Sequence, residues 1–246
     1  MQHRSKKIKK SFFIILVVLI VLSGGSAIYL GNYYHSVDVE KYMNGSSEVS
    51  VEKFDKGWFF DGAGEEKALI FYPGAKVATE AYAPLMYQLA ESGIDCFLVD
   101  MPFHMAFFGM NRAEEIMQEY NYEAWYLGGH SLGGAMAANF AADYVEDHTD
   151  GIRGLLLLAA YPTKDLSTSD MYVVTVYGSE DGVLNMDKIV AGRELMPQDY
   201  KEVCIEGGNH AQFGSYGAQK GDGTAAIPAE EQWARTVEVF VGDESE

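Results

Sequence analysis

Apolar and polar positions fall into three regimes along the chain. Residues 12–22 run without a polar side chain, residues 31–47 (GNYYHSVDVEKYMNGSS) show no sustained period, and from Lys67 onward short apolar runs alternate with longer amphipathic ones. The short runs are ALIFY, IDCFLVD, AWYLGGH, GLLLLAA, MYVVTVYG and KEVCIEG. Their length and their content of branched and aromatic residues read as strands. Helical spacing falls between or after them, over residues 79–92, 111–120, 132–146, 185–195 and 229–241. Strands that are apolar on both sides and separated by helices predict a parallel sheet covered on both faces, linked by right-handed crossovers. The expected fold is therefore a doubly wound, mostly parallel α/β sandwich. Just upstream, EVSVEKFDKGWFFDGAG alternates as a hairpin.

The first thirty residues are a different material. Arg4, Lys6, Lys7, Lys9 and Lys10 precede the apolar run. Residues 12–30 as a helix rise roughly 28 Å, close to the ~30 Å core of a bilayer. A transmembrane signal anchor fits this pattern. So does a cleaved signal peptide, because Ser23-Gly24-Gly25-Ser26-Ala27 supplies the small residues of a cleavage site. On either reading the basic cluster keeps the N-terminus in the cytoplasm and sends the rest outward, either as a single-pass membrane protein or as a secreted one. The expected organisation is a leader over 1–30, a tether over 31–47 and one domain over 48–246.

At 246 residues and 48% hydrophobic content, the chain is large enough for one sizeable core. Beyond residue 30 it carries 13 Lys and Arg against 36 Asp and Glu, a formal charge of −23. Such a surface repels phosphate backbones and anionic headgroups, which argues against nucleic-acid partners and against docking by charge. Cys96 and Cys204 both fall inside strand runs. About five strand spacings would separate them, roughly 24 Å against the ~7 Å that a disulfide tolerates, so two free, buried thiols are expected.

The chemistry starts at Gly129-His130-Ser131-Leu132-Gly133, which matches G-x-S-x-G. AWYLGGH before it reads as a strand and LGGAMAANFAADYVE after it as a helix, the context in which this motif places a serine on a sharp, strained turn. The bland alternative is a structural Gly-Ser turn. A serine hydroxyl needs a base. Of six histidines, His3 lies in the leader, His35 in the tether, His148 at a helix end and His104 after an earlier strand. His130, adjacent to the serine, is expected to point to the other side of the strand. His210, in CIEGGNHAQFG, follows the last strand and shares the C-terminal sheet edge with Ser131, where ligand sites collect. An orienting carboxylate on a third loop of this edge is offered by Asp181, with Glu180 and Asp165 as alternatives. Two N–H donors for an oxyanion are expected from Leu132, after the nucleophile, and from Ala75 in the loop Tyr72-Pro73-Gly74-Ala75-Lys76.

The stretches YPGAKV, MPFHMAFFG, GGHSLGGAMAA, LLAAYP, YGSEDGV and GGNHAQFGSYG together resemble the α/β-hydrolase superfamily over roughly residues 48–241. Within it they are similar to small bacterial hydrolases near the dienelactone-hydrolase-like group. The resemblance implies the order Ser131, Asp181, His210, and its Gly178-x-x-Asp181 spacing selects Asp181 as the acid. Two departures stand out. Pro73-Gly74 replaces the usual His-Gly before the oxyanion donor, and position 131 is serine where dienelactone hydrolase has cysteine.

Only YPTKDLSTSD separates GLLLLAA from MYVVTVYG, so no cap domain is expected. The aromatic loop Met101–Met110 then supplies candidate substrate contacts at Phe103, His104 and Phe107, with ordinary packing as the alternative. GSYGAQKGDGTAAIP after His210 reads as a connector to the last helix, with a lid folded over the site as the alternative. No metal-ligand spacing, dinucleotide fingerprint or phosphate loop is present, so neither cofactor nor metal is expected. The expected activity is carboxylic-ester hydrolysis through an acyl-enzyme. The alternatives are acyl transfer with the same residues, or an inactive tethered binding protein. Oligomeric state is not legible.

Overall fold

The computed structural model describes residues 31–148 and 151–242, together with Leu16, Val18, Gly24 and Gly25. The chain divides into two compact units at residues 33/34. In the first, the described residues Leu16, Val18, Gly24, Gly25 and Gly31 are helical, and most of the apolar leader lies outside the described residues. Among the described residues no helix is long and apolar enough to cross a membrane.

The second unit is built on eight strands: β1 (Ser50–Phe54), β2 (Gly57–Asp61), β3 (Lys67–Tyr72), β4 (Asp95–Val99), β5 (Ala124–His130), β6 (Ile152–Leu158), β7 (Tyr172–Gly178) and β8 (Tyr200–Ile205). Their order across the sheet is β1-β2-β4-β3-β5-β6-β7-β8. The β1–β2 hairpin pairs antiparallel onto β4, and every pairing from β4 through β8 is parallel. Strand positions alternate between two cores. Leu69, Phe71, Leu156 and Leu158 face the helices α2 (Ala83–Glu91) and α6 (Ala229–Gly242). Ala68, Ile70, Leu155 and Leu157 face α3 (Arg112–Glu119) and α4 (Leu132–Asp147). Leu155 through Leu158 are all fully buried, each worth about 1.5–3 kcal/mol. That two-sided burial is why these strands read as unbroken apolar runs. A short helix α1 (Glu40–Met43) precedes the sheet, and α5 (Met186–Gly192) connects β7 to β8.

Two expectations need correction. Cys96 is buried and Cys204 exposed, both free; β8 is the outermost parallel strand and only partly covered, so all but its last position reach solvent to some degree. Segment 31–47 is not a free tether from Tyr34 onward. Tyr34 forms a parallel bridge with Val77, Val37 N–H donates to the Ser215 carbonyl (2.8 Å), and Val39 and Tyr42 are buried in the α2/α6 core. Its mixed polar spacing concealed this because the segment docks as an irregular stretch through backbone bonds together with the side chains of Tyr34, Val39 and Tyr42.

Candidate active site

Ser131 sits between β5 and α4 at φ +53°, ψ −121°, a conformation costing a non-glycine residue on the order of 1–3 kcal/mol. Its N–H extends the ladder to β6 by donating to the Leu158 carbonyl (2.8 Å). The turn is sharp enough to forbid side chains beside it. A Cβ on Gly129 would lie 2.5 Å from the Gly133 carbonyl carbon, and one on Gly133 only 2.1 Å from the Tyr72 carbonyl oxygen. Leu132 opens α4, so its N–H has no acceptor within the helix, and the positive end of the helix dipole lies at the serine.

His210 and Asp181 meet at the same sheet edge, the imidazole Nδ1 lying 2.8 Å from Asp181 Oδ2 with both side chains buried. Asp181 Oδ1 accepts the N–H groups of Val183 (2.9 Å) and Leu184 (2.8 Å), which fixes the carboxylate. A carboxylate partner places the proton on Nδ1 and leaves Nε2 as the free acceptor. The alternative acids are engaged elsewhere: Asp165 accepts Ser167 N–H, and Glu180 accepts its neighbour Ser179.

Ser131 and His210 line one cavity of about 360 Å³. Its walls are mostly apolar, from Leu132, Ala135 and Met136 of α4, Ala159 and Ala160 after β6, and Val183 and Leu184 after Asp181. Phe103, His104 and Phe107 do not line it. Phe103 and Phe107 are exposed on the neighbouring loop after β4, and His104 offers its carbonyl to Lys76 N–H (2.7 Å). Ala75, on the turn after β3, is outside the lining as well. The β6–β7 connection carries no helix over the cavity. A larger open hollow of about 720 Å³ lies at the opposite edge of the sheet, lined by Glu123, Ile152, Asp170 and Met171. Among the described residues no group of three or more His, Cys, Asp or Glu is set to hold a metal ion.

Three further residues organise the site. Asp222, inside the connector after His210, accepts Gly182 N–H (3.1 Å) and His210 N–H (3.2 Å) on Oδ1, and Ala211 N–H (2.8 Å) on Oδ2. One carboxylate thus joins the acid loop to the base loop. Tyr82, fully buried, accepts Gly74 N–H (3.0 Å), and its hydroxyl lies 2.7 Å from His130 Nδ1. The His130 ring lies 4.4 Å from that of His210, centroid to centroid. Burial, and then the proximity of His210, hold His130 well below the usual histidine range, so it is neutral. His130 does leave the strand on the face away from the cavity, yet that face is the one on which the base loop packs. An aspartate flanked by glycines and a tyrosine at a helix start gave no local signal of these roles.

A family model described as the alpha/beta hydrolase family matches residues 68–234. The chain belongs to the alpha/beta hydrolase family. Solved structures of the same fold include a hydrolase from Agrobacterium vitis S4 (13% identity, TM-score 0.58, 79% of this chain and 98% of that one). Est1E from Butyrivibrio proteoclasticus aligns at 16% identity and TM-score 0.56 over 81% and 100% of the two chains. Carboxyl esterase 2 from Tuber melanosporum aligns at 12% identity and TM-score 0.60 over 86% and 89%. At these identities the likeness is one of fold. A search of curated protein sequences finds no significant match.

Proposed function

We propose that this chain is a serine esterase in which Ser131, His210 and Asp181 act as one unit. The observation that carries the reading is the buried Asp181–His210 pair opening onto the cavity that holds the strained Ser131. Ser131 Oγ attacks the ester carbonyl carbon as its proton passes to His210 Nε2. The negative charge on the carbonyl oxygen is met by the N–H groups of Leu132 and Ala75. Collapse of the tetrahedral intermediate breaks the bond to the alcohol, which leaves with the proton from Nε2. Water then gives a proton to His210 and attacks the acyl-serine carbonyl; as that intermediate collapses, the acid leaves and His210 returns the proton to Ser131 Oγ. The ester substrate class is supported by the names of the fold's neighbours, among them Est1E and carboxyl esterase 2, and by the apolar cavity walls, which suit an acyl chain.

The site is tested by labelling the full chain with a fluorophosphonate probe and mapping the modified peptide. Label on Ser131, absent from Ser131→Ala together with ester turnover, is the expected result. A folded wild-type chain that takes no label overturns it. The leader supports a second element of the reading: residues 1–30 anchor the chain in a membrane with the catalytic unit outside. Retention in the membrane pellet after alkaline carbonate, with an intact mass from Met1, is expected. A mature chain beginning near Ile28 would replace anchoring with secretion.

A further inference from the structure

Charge is unevenly placed on this molecule. Residues 31–37, 72–79, 101–113 and 209–221 contain no Asp or Glu, whereas the rest of the chain beyond residue 37 holds all 36. Hydrogen bonds gather these four stretches into one surface at the catalytic edge. Tyr34 N–H donates to the Lys76 carbonyl (2.7 Å) and Lys76 N–H to the His104 carbonyl (2.7 Å). Lys220 N–H donates to the Tyr34 hydroxyl (3.2 Å), and the Ser215 hydroxyl to the Val37 carbonyl (2.6 Å). On this surface stand Phe103, Phe107 and Phe108, respectively 58%, 47% and 53% exposed. The Phe108 ring centroid lies 5.6 Å from that of Phe103 and 4.1 Å from that of Phe107. Phe103 and His104 are held at φ +56° and +55°, a backbone cost of order 1–3 kcal/mol each. A contiguous aromatic patch of this kind marks an interaction surface.

Its occupant follows from chain length. The apolar leader ends at Leu30, four residues before Tyr34, and four residues reach at most about 14 Å. With Leu30 at the outer limit of the hydrocarbon, Tyr34, which hydrogen-bonds into this surface, cannot be farther from the lipid than that. We infer that Phe103, Phe107 and Phe108 dock the catalytic edge onto the leaflet in which residues 12–30 are anchored, with the rings at the headgroup–acyl boundary. This rests on the anchored reading above. The substrates it implies are esters presented at a membrane surface. Of the Lys, Arg, Asp and Glu residues beyond residue 30, these four stretches hold only Lys76, Arg112 and Lys220, so every acidic residue lies outside them.

The test places Phe107→Trp in the full chain, reconstituted in phosphatidylcholine vesicles with and without bromine on the acyl chains. The wild-type tryptophans provide the background. Phe108→Trp repeats the reading one residue on. The expected result is added emission that is blue-shifted and lost in the brominated vesicles. Added emission that is equal in both and still quenched by acrylamide overturns docking while leaving anchoring intact. Blue-shifted emission that bromine does not quench assigns the patch to a second copy or to the leader itself, and also overturns it. Release of the chain by alkaline carbonate overturns the anchored reading and the docking with it.

Discussion

The loop that carries His210 and the loop that leads to Ala75 flank the same serine, but they are secured by different chemistry. The His210 loop is held by the carboxylate of Asp222, which takes two of its N–H groups and one from the Asp181 loop, and by the fully buried Gln232, which exchanges bonds with both the N–H and the carbonyl of Asn209. The loop of Ala75, the proposed oxyanion donor, is held by neutral bonds from Tyr82 to Gly74 on one side and from the backbones of Tyr34 and His104 to Lys76 on the other. Bonds to a charged acceptor are roughly twice as strong as neutral ones. Proton transfer requires fixed geometry, and the stronger set lies on the base. The oxyanion side is the softer half, supported in part by residues far upstream.

Four changes would break or sharpen this contrast. Asp181→Asn removes the acceptor that sets the His210 tautomer, and kcat is expected to fall on the order of 10⁴-fold with the melting temperature little changed; wild-type turnover would break the site assignment. Asp222→Ala leaves four N–H groups without their acceptor, those of Gly182, His210, Ala211 and Gly223. About 3 kcal/mol of stability and on the order of 10²-fold in kcat/KM are expected to go, read by denaturant unfolding and ester kinetics. Asp222→Asn, which keeps one acceptor oxygen, should lose less. Tyr82→Phe unpairs Gly74 N–H and His130 Nδ1 at about 1–2 kcal/mol, with kcat falling more than KM rises. A loss as large as that of Asp222→Ala would erase the difference between the halves.

The smallest effect is a pH dependence. His130 is buried neutral and its affinity for a proton is depressed on folding. Below about pH 6.5 the unfolded chain takes up a proton that the native chain refuses, so stability falls as pH falls, by at most ~1.4 kcal/mol per pH unit. His104, lowered first by burial, adds in the same direction. His130→Asn should flatten the slope between pH 6.5 and 5 in thermal melts. An unchanged slope would remove His130 from the account.

The sheet was legible because strands buried on both faces write themselves as apolar runs; β5 spans the residues of AWYLGGH, and α4 begins directly after Ser131. The pairing of Asp181 with His210 was legible because loops after parallel strands must converge on one edge. The residues that escaped, Tyr82, His130 and Asp222, act through bonds to partners distant in sequence, and no periodicity encodes those. Aromatic content in 101–110 likewise cannot separate a cavity wall from an exposed ridge, since both are apolar and only the path of the loop distinguishes them. Cys204 looked buried because its strand is apolar enough to join the sheet, while its place near the margin is a property of topology.

The docking of Tyr34 and Val37 has a consequence for timing. Their partners Lys220 and Ser215 lie 186 and 178 residues away, so these bonds close nearly the longest loop the second unit can make. Loop closure on that scale waits for the whole intervening chain. During synthesis the segment that braces the oxyanion loop has no counterpart until residue 220 has emerged, and Gln232 follows later still. The nascent chain therefore carries Ser131 on its turn before the surrounding edge is complete, and the bonds that brace that edge close only once residues 220–232 have emerged.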